Sequence, residues 1–314
     1  MSSNCTPADA DADAAMTMGF VVGAYASQPA DQEGQRAYHA LLADTPWVTG
    51  VELPYPGALA DDPTFVAGLL AEHWVDTTVT LIPGTMQTLT RDPRFGLASP
   101  HDEGRADALT HARTVRDRVA DLADITGRRA VARVQVHSAP TALASESAFA
   151  ASLAELLTWD WSSAELVVEH CDADSTSHTA EKGFLPLDAE LRVATAAGVG
   201  VHLNWGRSAV EGRSAETPHE HIVAAAAAGV LRGVLFSGAG PEATPYGPAW
   251  IDGHLPASVD EPASLMTPAR IAECAAAARA GGARYLGAKI CVPPEATLPE
   301  RVAMLGAVRA ATVA

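Results

Sequence analysis

One cycle recurs along this chain: an apolar run ends in a loop of glycine, proline and polar residues, and an alanine- and leucine-rich helical stretch follows. The runs that predict strands cover residues 19–25, 48–53, 76–82, 130–136, 166–169, 199–204, 233–237 and 284–292. The clearest helices are predicted over 31–43, 102–126, 188–197 and 298–311. Strands that alternate with helices indicate a parallel sheet. Eight strands close into a (β/α)8 TIM barrel, so we expect this α/β fold. An open doubly wound sheet is the alternative, but no GxGxxG follows the first strand.

The domain organisation follows from the same pattern. Residues 1–17 are small, polar and acidic, and we expect them to be disordered. Residues 18–314 are predicted to form one barrel domain. Long loops are predicted after the sixth strand, over 205–221, and after the seventh, over 238–263. Because loops of this length in compact domains are more often functional than mere spacers, we expect them to cover or line a site.

Charge and cysteine usage narrow the range of partners. A formal net charge of -17 disfavours binding to phosphate backbones, so we expect no nucleic-acid partner. The four cysteines, at positions 5, 171, 274 and 291, show no CxxC pair, which disfavours structural zinc and a disulfide framework. We see neither a membrane-spanning stretch nor a signal peptide. The sequence predicts a cytoplasmic protein with a small-molecule ligand, and it leaves homo-oligomerisation open.

The stretch from Leu166 to Asp172 is the most informative candidate for a site. Three apolar residues run directly into Glu169, His170, Cys171 and Asp172. An apolar strand of this kind is buried on both faces, and its carboxyl end is where TIM barrels place their active sites. We therefore predict that Glu169 is a catalytic acid or base, with a pKa that burial raises toward neutrality. A buried glutamate that only pairs with Arg207 or Lys289 is the structural alternative.

Lys289 is the second candidate catalytic residue, because it interrupts the otherwise apolar eighth strand. A desolvated lysine has a lowered pKa and can act as a base or form a Schiff base. The alternative is that Lys289 points outward between helices and pairs with a carboxylate.

Further residues at strand ends and in the long loops are candidates for substrate binding. They are His137, Asn204, Arg207, Trp250, Asp252, His254, Tyr25 and Glu52. Aromatic rings interleaved with polar groups suit a polyol, since rings stack on C–H faces and polar groups take hydroxyls. Each has a structural alternative: Arg207 could fix its loop through Glu211, and Trp250 with its neighbours could form an oligomer contact.

Other chemically suggestive residues are expected to be structural. His202 is predicted to be a core histidine, and His170 should face the opposite side of its strand from Glu169. Cys171 and Cys291 lack an evident base and are predicted to be small buried apolar residues.

Several phrases of the chain resemble one known superfamily. They are VVGAYASQP, HLNWGRSAVEGRS, LFSGAG…YGPAWIDGHLP and GAKICVPP. With the strand plan, they resemble the xylose isomerase-like barrels, which include sugar isomerases and epimerases. The nearest resemblance is to a bacterial branch that is known only as a domain of unknown function. The resemblance implies a xylose isomerase-like TIM barrel.

The resemblance also implies a metal site, which this chain matches poorly. Such epimerases hold a divalent ion with Glu, Asp, His and Glu on the fifth to eighth strands. Glu169 matches the first ligand, and Asn204 stands at the second, with Arg207 where a following His is expected. The third position falls on Phe236 or Ser237 and the fourth near Val292. Hard divalent ions require several oxygen ligands, so we expect no metal and no other cofactor.

We therefore expect an enzyme of the isomerase, epimerase or lyase type that acts on a carbohydrate or a sugar-derived keto or hydroxy acid. It would transfer a proton next to a carbonyl, with Glu169 as the base and with Arg207, Asn204 and Lys289 stabilising the developing charge. Two alternatives remain open. One is a non-catalytic protein that binds a sugar metabolite, and the other is a metal-dependent isomerase with atypical ligands.

Overall fold

Eight parallel strands close into a barrel, as the alternating pattern predicts. The computed structural model describes residues 18–314, and the stretch 1–17, for which we predict disorder, lies outside the described residues. Each strand pairs in parallel with the next one, and the eighth pairs with the first to close the sheet. The strands are β1 Gly19–Val22, β2 Gly50–Pro54, β3 Thr78–Thr80, β4 Arg133–Val136, β5 Glu165–Glu169, β6 Gly200–Asn204, β7 Leu231–Phe236 and β8 Tyr285–Ala288.

The helices form the outer layer around this barrel. They are α1 Gln32–Ala43, α2 Ala58–Asp61, α3 Pro63–Ala67, α4 Ile82–Leu89, α5 Asp102–Thr126, α6 Glu146–Leu156, α7 Leu187–Ala197, α8 Trp205–Gly212, α9 Thr217–Ala227, α10 Pro268–Ala280 and α11 Leu298–Ala311. Side chains of the strands and of the inner helix faces form one continuous apolar core. None of the described helices combines the length and apolar character needed to cross a membrane.

Local sequence explains where several helices begin. Asp31 accepts a hydrogen bond from the Gly34 amide at 2.8 Å and thereby caps α1. Thr297 and Glu300 form a reciprocal capping box at the start of α11. Such caps satisfy amide groups that have no partner within the helix.

Three departures from the predicted elements bear on the barrel mouth. Ile82, predicted to end the third strand, begins α4, and β8 ends at Ala288, just before Lys289. The prediction of a long loop after the sixth strand is wrong, because this stretch folds into α8 and α9. The Asn204 side chain explains the first of these helices, since it accepts hydrogen bonds from the Gly206 and Arg207 amides. The loop after β7 is irregular, as predicted.

Candidate active site

Glu169 lies at the carboxyl end of β5, with its side chain fully buried. Its Oε2 accepts hydrogen bonds from Thr80 Oγ1 at 3.1 Å and from His137 Nε2 at 2.6 Å. Its Oε1 lies 2.5 Å from Arg207 Nη1, in an ionic contact that is not aligned as a hydrogen bond. Residues from β3, from the end of β4 and from α8 therefore converge on one carboxylate.

These contacts reverse the predicted direction of the Glu169 pKa. Burial alone raises this pKa, as expected from the sequence, but Arg207 and His137 outweigh it and hold the pKa well below its usual range. The expected pKa near neutrality was therefore wrong for the enclosed site, because the Arg207 guanidinium on α8 contacts the Glu169 carboxylate. The pKa of His137 is lowered, chiefly by burial, so this ring is neutral and its Nε2–H donates to Glu169.

Lys289 points into the barrel, and the outward alternative is wrong. Its Nζ lies 2.8 Å from Glu52 Oε1 and 4.8 Å from the centre of the Tyr25 ring. A Cβ at Gly23 would lie 2.6 Å from the Lys289 side chain, so this glycine gives the lysine room to enter. Burial lowers the pKa of Lys289, but Glu52 and Tyr25 raise it above its usual range. The predicted lowered pKa is therefore wrong, and Lys289 is a buried cation.

Glu52 and Tyr25 border open space beside this ion pair. Glu52 is 1% exposed, and its Oε2 has no hydrogen-bond partner. Tyr25 and Glu52 line a cavity of about 160 Å³ between the loops after β1 and β2, together with Gln28, His39 and Leu59. Both residues thus line a cavity, and their role in substrate binding stays a prediction.

Arg207 and Asn204 lie together where β6 passes into α8. Arg207 is 1% exposed and connects two carboxylates, since its Nε also donates to Asp252 Oδ2 at 2.8 Å. The alternative contact of Arg207 with Glu211 does not form. Asn204 uses its oxygen as the cap of α8, which leaves only its Nδ2 without a partner.

The loop after β7 closes the mouth from above. Asp252 lies on this loop and pairs with Arg207, with Lys182 Nζ at 2.9 Å and with His254 Nδ1 at 3.1 Å. Burial raises the pKa of Asp252, but Lys182 and Arg207 hold it well below its usual range. The ring of Trp250 lies farther out, 5.2 Å beneath the Arg213 guanidinium. Asp252 and His254 thus face the site, while Trp250 lies at its rim.

His202 is buried in the barrel, as predicted for a core histidine. The Tyr285 hydroxyl contacts its Nδ1 at 2.8 Å, and the two rings are stacked. Burial lowers the pKa of His202 to about 4. Its Nε2 has no hydrogen-bond partner and lies 3.9 Å from Glu169 Oε1. One ligand-type atom each of Glu52, Glu169 and His202 lies within 4.8 Å of the others.

The metal implied by the resemblance does not fit this arrangement. The position on β7 holds the apolar Phe236, and the adjacent Ser237 hydroxyl contacts His254. Arg207 and Lys289 already supply positive charge to Glu169 and Glu52. A divalent ion between these carboxylates would have to lie beside both cations, which electrostatic repulsion opposes.

Two residues that contact the site were not predicted from the sequence. Thr80 occupies the short strand β3, and Lys182 follows β5 in a loop that carries no motif. Only the barrel topology brings them to Glu169 and Asp252. Cys171 is fully buried and Cys291 is partly buried, and burial raises the pKa of both thiols. Neither thiol therefore resembles an activated nucleophile.

Comparisons place this geometry among known proteins. The fold is a xylose isomerase-like TIM barrel. The IolI protein, solved with a bound zinc atom, superimposes with a TM-score of 0.60 at 10% identity over 94% of this chain and 98% of its own. D-allulose 3-epimerase from Methylomonas sp. superimposes with a TM-score of 0.56 at 12% identity, over 93% of this chain and 90% of its own. L-ribulose 3-epimerase superimposes with a TM-score of 0.53 at 15% identity, over 94% of this chain and 91% of its own. At these identities the likeness shows the fold alone.

The chain belongs to the family described as Domain of unknown function (DUF4862), whose model matches residues 21–304. An uncharacterized protein of Salmonella typhimurium is 33% identical over 285 residues, which cover 87% of this chain and 89% of that protein. The resemblance to a branch known as a domain of unknown function is therefore confirmed, and the structural likeness confirms the fold.

Proposed function

We propose that this protein is a carbohydrate isomerase or epimerase that transfers a proton next to a carbonyl without a resident metal. The observation that carries the proposal is the pairing of two buried carboxylates, Glu169 and Glu52, with two buried cations, Arg207 and Lys289. Similar folds in the D-allulose and L-ribulose 3-epimerases support the substrate class by analogy.

The chemistry follows from the position of each charge. Glu169 accepts the proton from the carbon next to the carbonyl, and the C–H electron pair moves to form an enediolate whose charge rests on the carbonyl oxygen. Arg207 and Lys289 stabilise that charge, because preorganised cations in a dry site act strongly on a developing anion. Isomerisation is completed when Glu169 returns the proton to the former carbonyl carbon and the adjacent hydroxyl proton passes to the enediolate oxygen. Epimerisation instead requires a proton from a second donor on the opposite face; the Lys289 ammonium would supply it, and Glu169 would lose its proton to solvent.

The strongly lowered pKa of Glu169 reflects its contact with Arg207 in the closed site. A substrate oxygen that takes over the Arg207 guanidinium would remove this stabilisation and leave the desolvation of Glu169 dominant. The pKa of the carboxyl would then rise, and its basicity would increase when the substrate is bound.

The test is deuterium exchange, followed by NMR, into ketohexoses, pentoses and sugar acids in D2O. We expect wild-type protein to label the carbon next to the carbonyl in at least one compound, with and without EDTA. Glu169→Gln should slow exchange by about 10²–10⁴-fold. Glu165→Gln is the matched control, since Glu165 starts the same strand and pairs with Arg232 at the other end of the barrel. Full activity in Glu169→Gln would refute the role of Glu169.

The contact of Arg207 with both Glu169 and Asp252 favours a second candidate, a non-catalytic protein that binds a sugar metabolite. In that case a ligand would raise the melting temperature and yet return without deuterium. Exchange that EDTA abolishes and Mn²⁺ restores would instead indicate a metal-dependent isomerase that uses Glu52, Glu169 and His202.

A further inference from the structure

A second polar cluster lies behind β5, on the outer side of the barrel from Glu169. His170 points away from the barrel interior and is 1% exposed. Its Nε2 lies 2.9 Å from Glu211 Oε2, at the end of α8. His221 on α9 brings its Nε2 to 3.7 Å from Glu211 Oε1. One ligand-type atom each of His170, Glu211 and His221 lies within 4.8 Å of the others.

The groups behind these residues orient both imidazoles toward one point. Glu190 on α7 accepts a hydrogen bond from His170 Nδ1 at 2.6 Å. The Ser208 hydroxyl contacts His221 Nδ1 at 3.0 Å, and the Ala173 amide donates to Glu211 Oε2 at 2.9 Å. A carboxylate or hydroxyl on the distal nitrogen of each histidine is the arrangement that fixes metal-binding histidines in proteins.

The negative charge of the carboxylates in this cluster also favours a bound cation. Within residues 18–314, the ion-pair partners of Glu211 are His170 and His221, with no lysine or arginine among them. The His170 ring bridges Glu190 and Glu211, at 2.6 Å through Nδ1 and 2.9 Å through Nε2, and a bound ion would take the place of a proton on Nε2. A divalent ion would balance the two carboxylates Glu190 and Glu211.

We propose that His170, Glu211 and His221 form a binding site for a zinc-like divalent transition-metal ion. Zinc–nitrogen and zinc–oxygen bonds of about 2.1 Å in a tetrahedron place ligand atoms about 3.4 Å apart. His170 Nε2 and His221 Nε2 lie 2.9 and 3.7 Å from the two Glu211 oxygens, on either side of this value. The Glu211 and His221 side chains are 19% and 14% exposed, so an ion can enter and water can complete its coordination. Nitrogen and carboxylate ligands of this kind suit zinc.

This site is independent of the proposed reaction, and it uses none of the cysteines. It would join the segment that follows β5 to α8 and α9. The ion would thus hold the chain directly behind Glu169, on the far side of the strand from the barrel interior.

The experiment is calorimetric titration of Zn²⁺ into protein that has first been stripped with a chelator. We expect one ion to bind wild-type protein at this cluster. His221→Ala and Glu211→Gln should each weaken binding by roughly 100-fold or more, and Ser208→Ala by about tenfold. His219→Ala is the matched control, because His219 lies on the same helix outside the cluster and its loss should leave affinity unchanged. Circular dichroism verifies that each variant is folded.

Anomalous diffraction at the zinc edge then locates the ion. A peak between His170 and His221 supports the site. A peak only between Glu52 and Glu169 overturns it, as does wild-type protein that binds no Zn²⁺, or binding that His221→Ala and Glu211→Gln leave unchanged.

Discussion

At the scale of single residues, charge compensation distinguishes this barrel mouth. Glu169 and Glu52 would both be costly to bury alone, and Arg207 and Lys289 make their burial possible. The sequence located Glu169 and Glu52 near the carboxyl ends of strands, Lys289 within the eighth strand and Arg207 just beyond the sixth. It offered the contact of Glu169 with Arg207 only as an alternative and did not predict that of Glu52 with Lys289, since a strand pattern gives the face of a residue but not its partner across the barrel. For this reason the expected pKa shifts of Glu169 and Lys289 had the wrong direction.

Removal of one partner of the inner pair should be strongly destabilising. Lys289→Met leaves the Glu52 carboxylate buried without its cation, and we expect the free energy of unfolding to fall by about 3–5 kcal/mol. Urea denaturation measures this loss. Glu52→Gln combined with Lys289→Met should recover much of it, because no charge is then left unpaired.

Arg192→Met provides the comparison for this pair. Arg192 is 57% exposed where it pairs with Glu146 and Asp188, so its loss should be nearly neutral. If Lys289→Met proved as mild as Arg192→Met, the inner pair would not be a buried ion pair of the kind described here.

At the scale of secondary-structure elements, the sequence predicted strands better than the helices that follow β6. Residues 205–221 contain glycines and charges and show little apolar periodicity, so they resemble a loop. The Asn204 side chain caps α8 in a way that apolar periodicity does not reveal. That error concealed the cluster of His170, Glu211 and His221, because Glu211 and His221 come together only when α8 and α9 form.

The packing of α5 makes stability depend on pH. His111 on α5 packs edge to face with Tyr55 and Phe95, at centroid distances of 5.2 and 5.8 Å. Burial lowers the pKa of His111 from 6.5 to about 4. The unfolded chain then takes up a proton more readily than the native one between these values, so the contribution of His111 is complete above pH 6.5 and is lost toward pH 4.

Thermal denaturation from pH 7 to pH 4 tests this dependence, with the titrating ring removed in His111→Leu. We expect the melting temperature of this variant to fall less steeply with acidification than that of wild-type protein. His73→Leu is the control, since His73 is exposed and its loss should leave the slope unchanged. Equal slopes for wild type and His111→Leu would show that the ring does not titrate in this window.

At the scale of the whole molecule, the barrel was predictable and the closure of its mouth was not. Eight alternating runs are sufficient for the topology, because parallel strands joined by helices have few ways to bury both faces. The sequence also predicted that the loop after β7 covers or lines the site. The contacts that hold this loop connect Lys182, Arg207 and Asp252, which lie on three separate segments. Such contacts arise only once the whole barrel has formed.

Access to Glu169 should therefore depend on Asp252. The carboxylate of Asp252 joins the loop of residues 238–267 to Arg207 at 2.8 Å and to Lys182 at 2.9 Å. Asp252→Asn removes the negative charge from both contacts, and we expect amide protection in this loop to fall by about tenfold or more, the equivalent of roughly 1.4 kcal/mol. Hydrogen–deuterium exchange with mass spectrometry measures this change, while peptides of β5 should keep their protection. Asp260→Asn is the matched control, because Asp260 is exposed on the same loop and takes part in none of the ion pairs of residues 18–314. Unchanged exchange in Asp252→Asn would mean that apolar packing, rather than these ion pairs, holds the loop over the barrel.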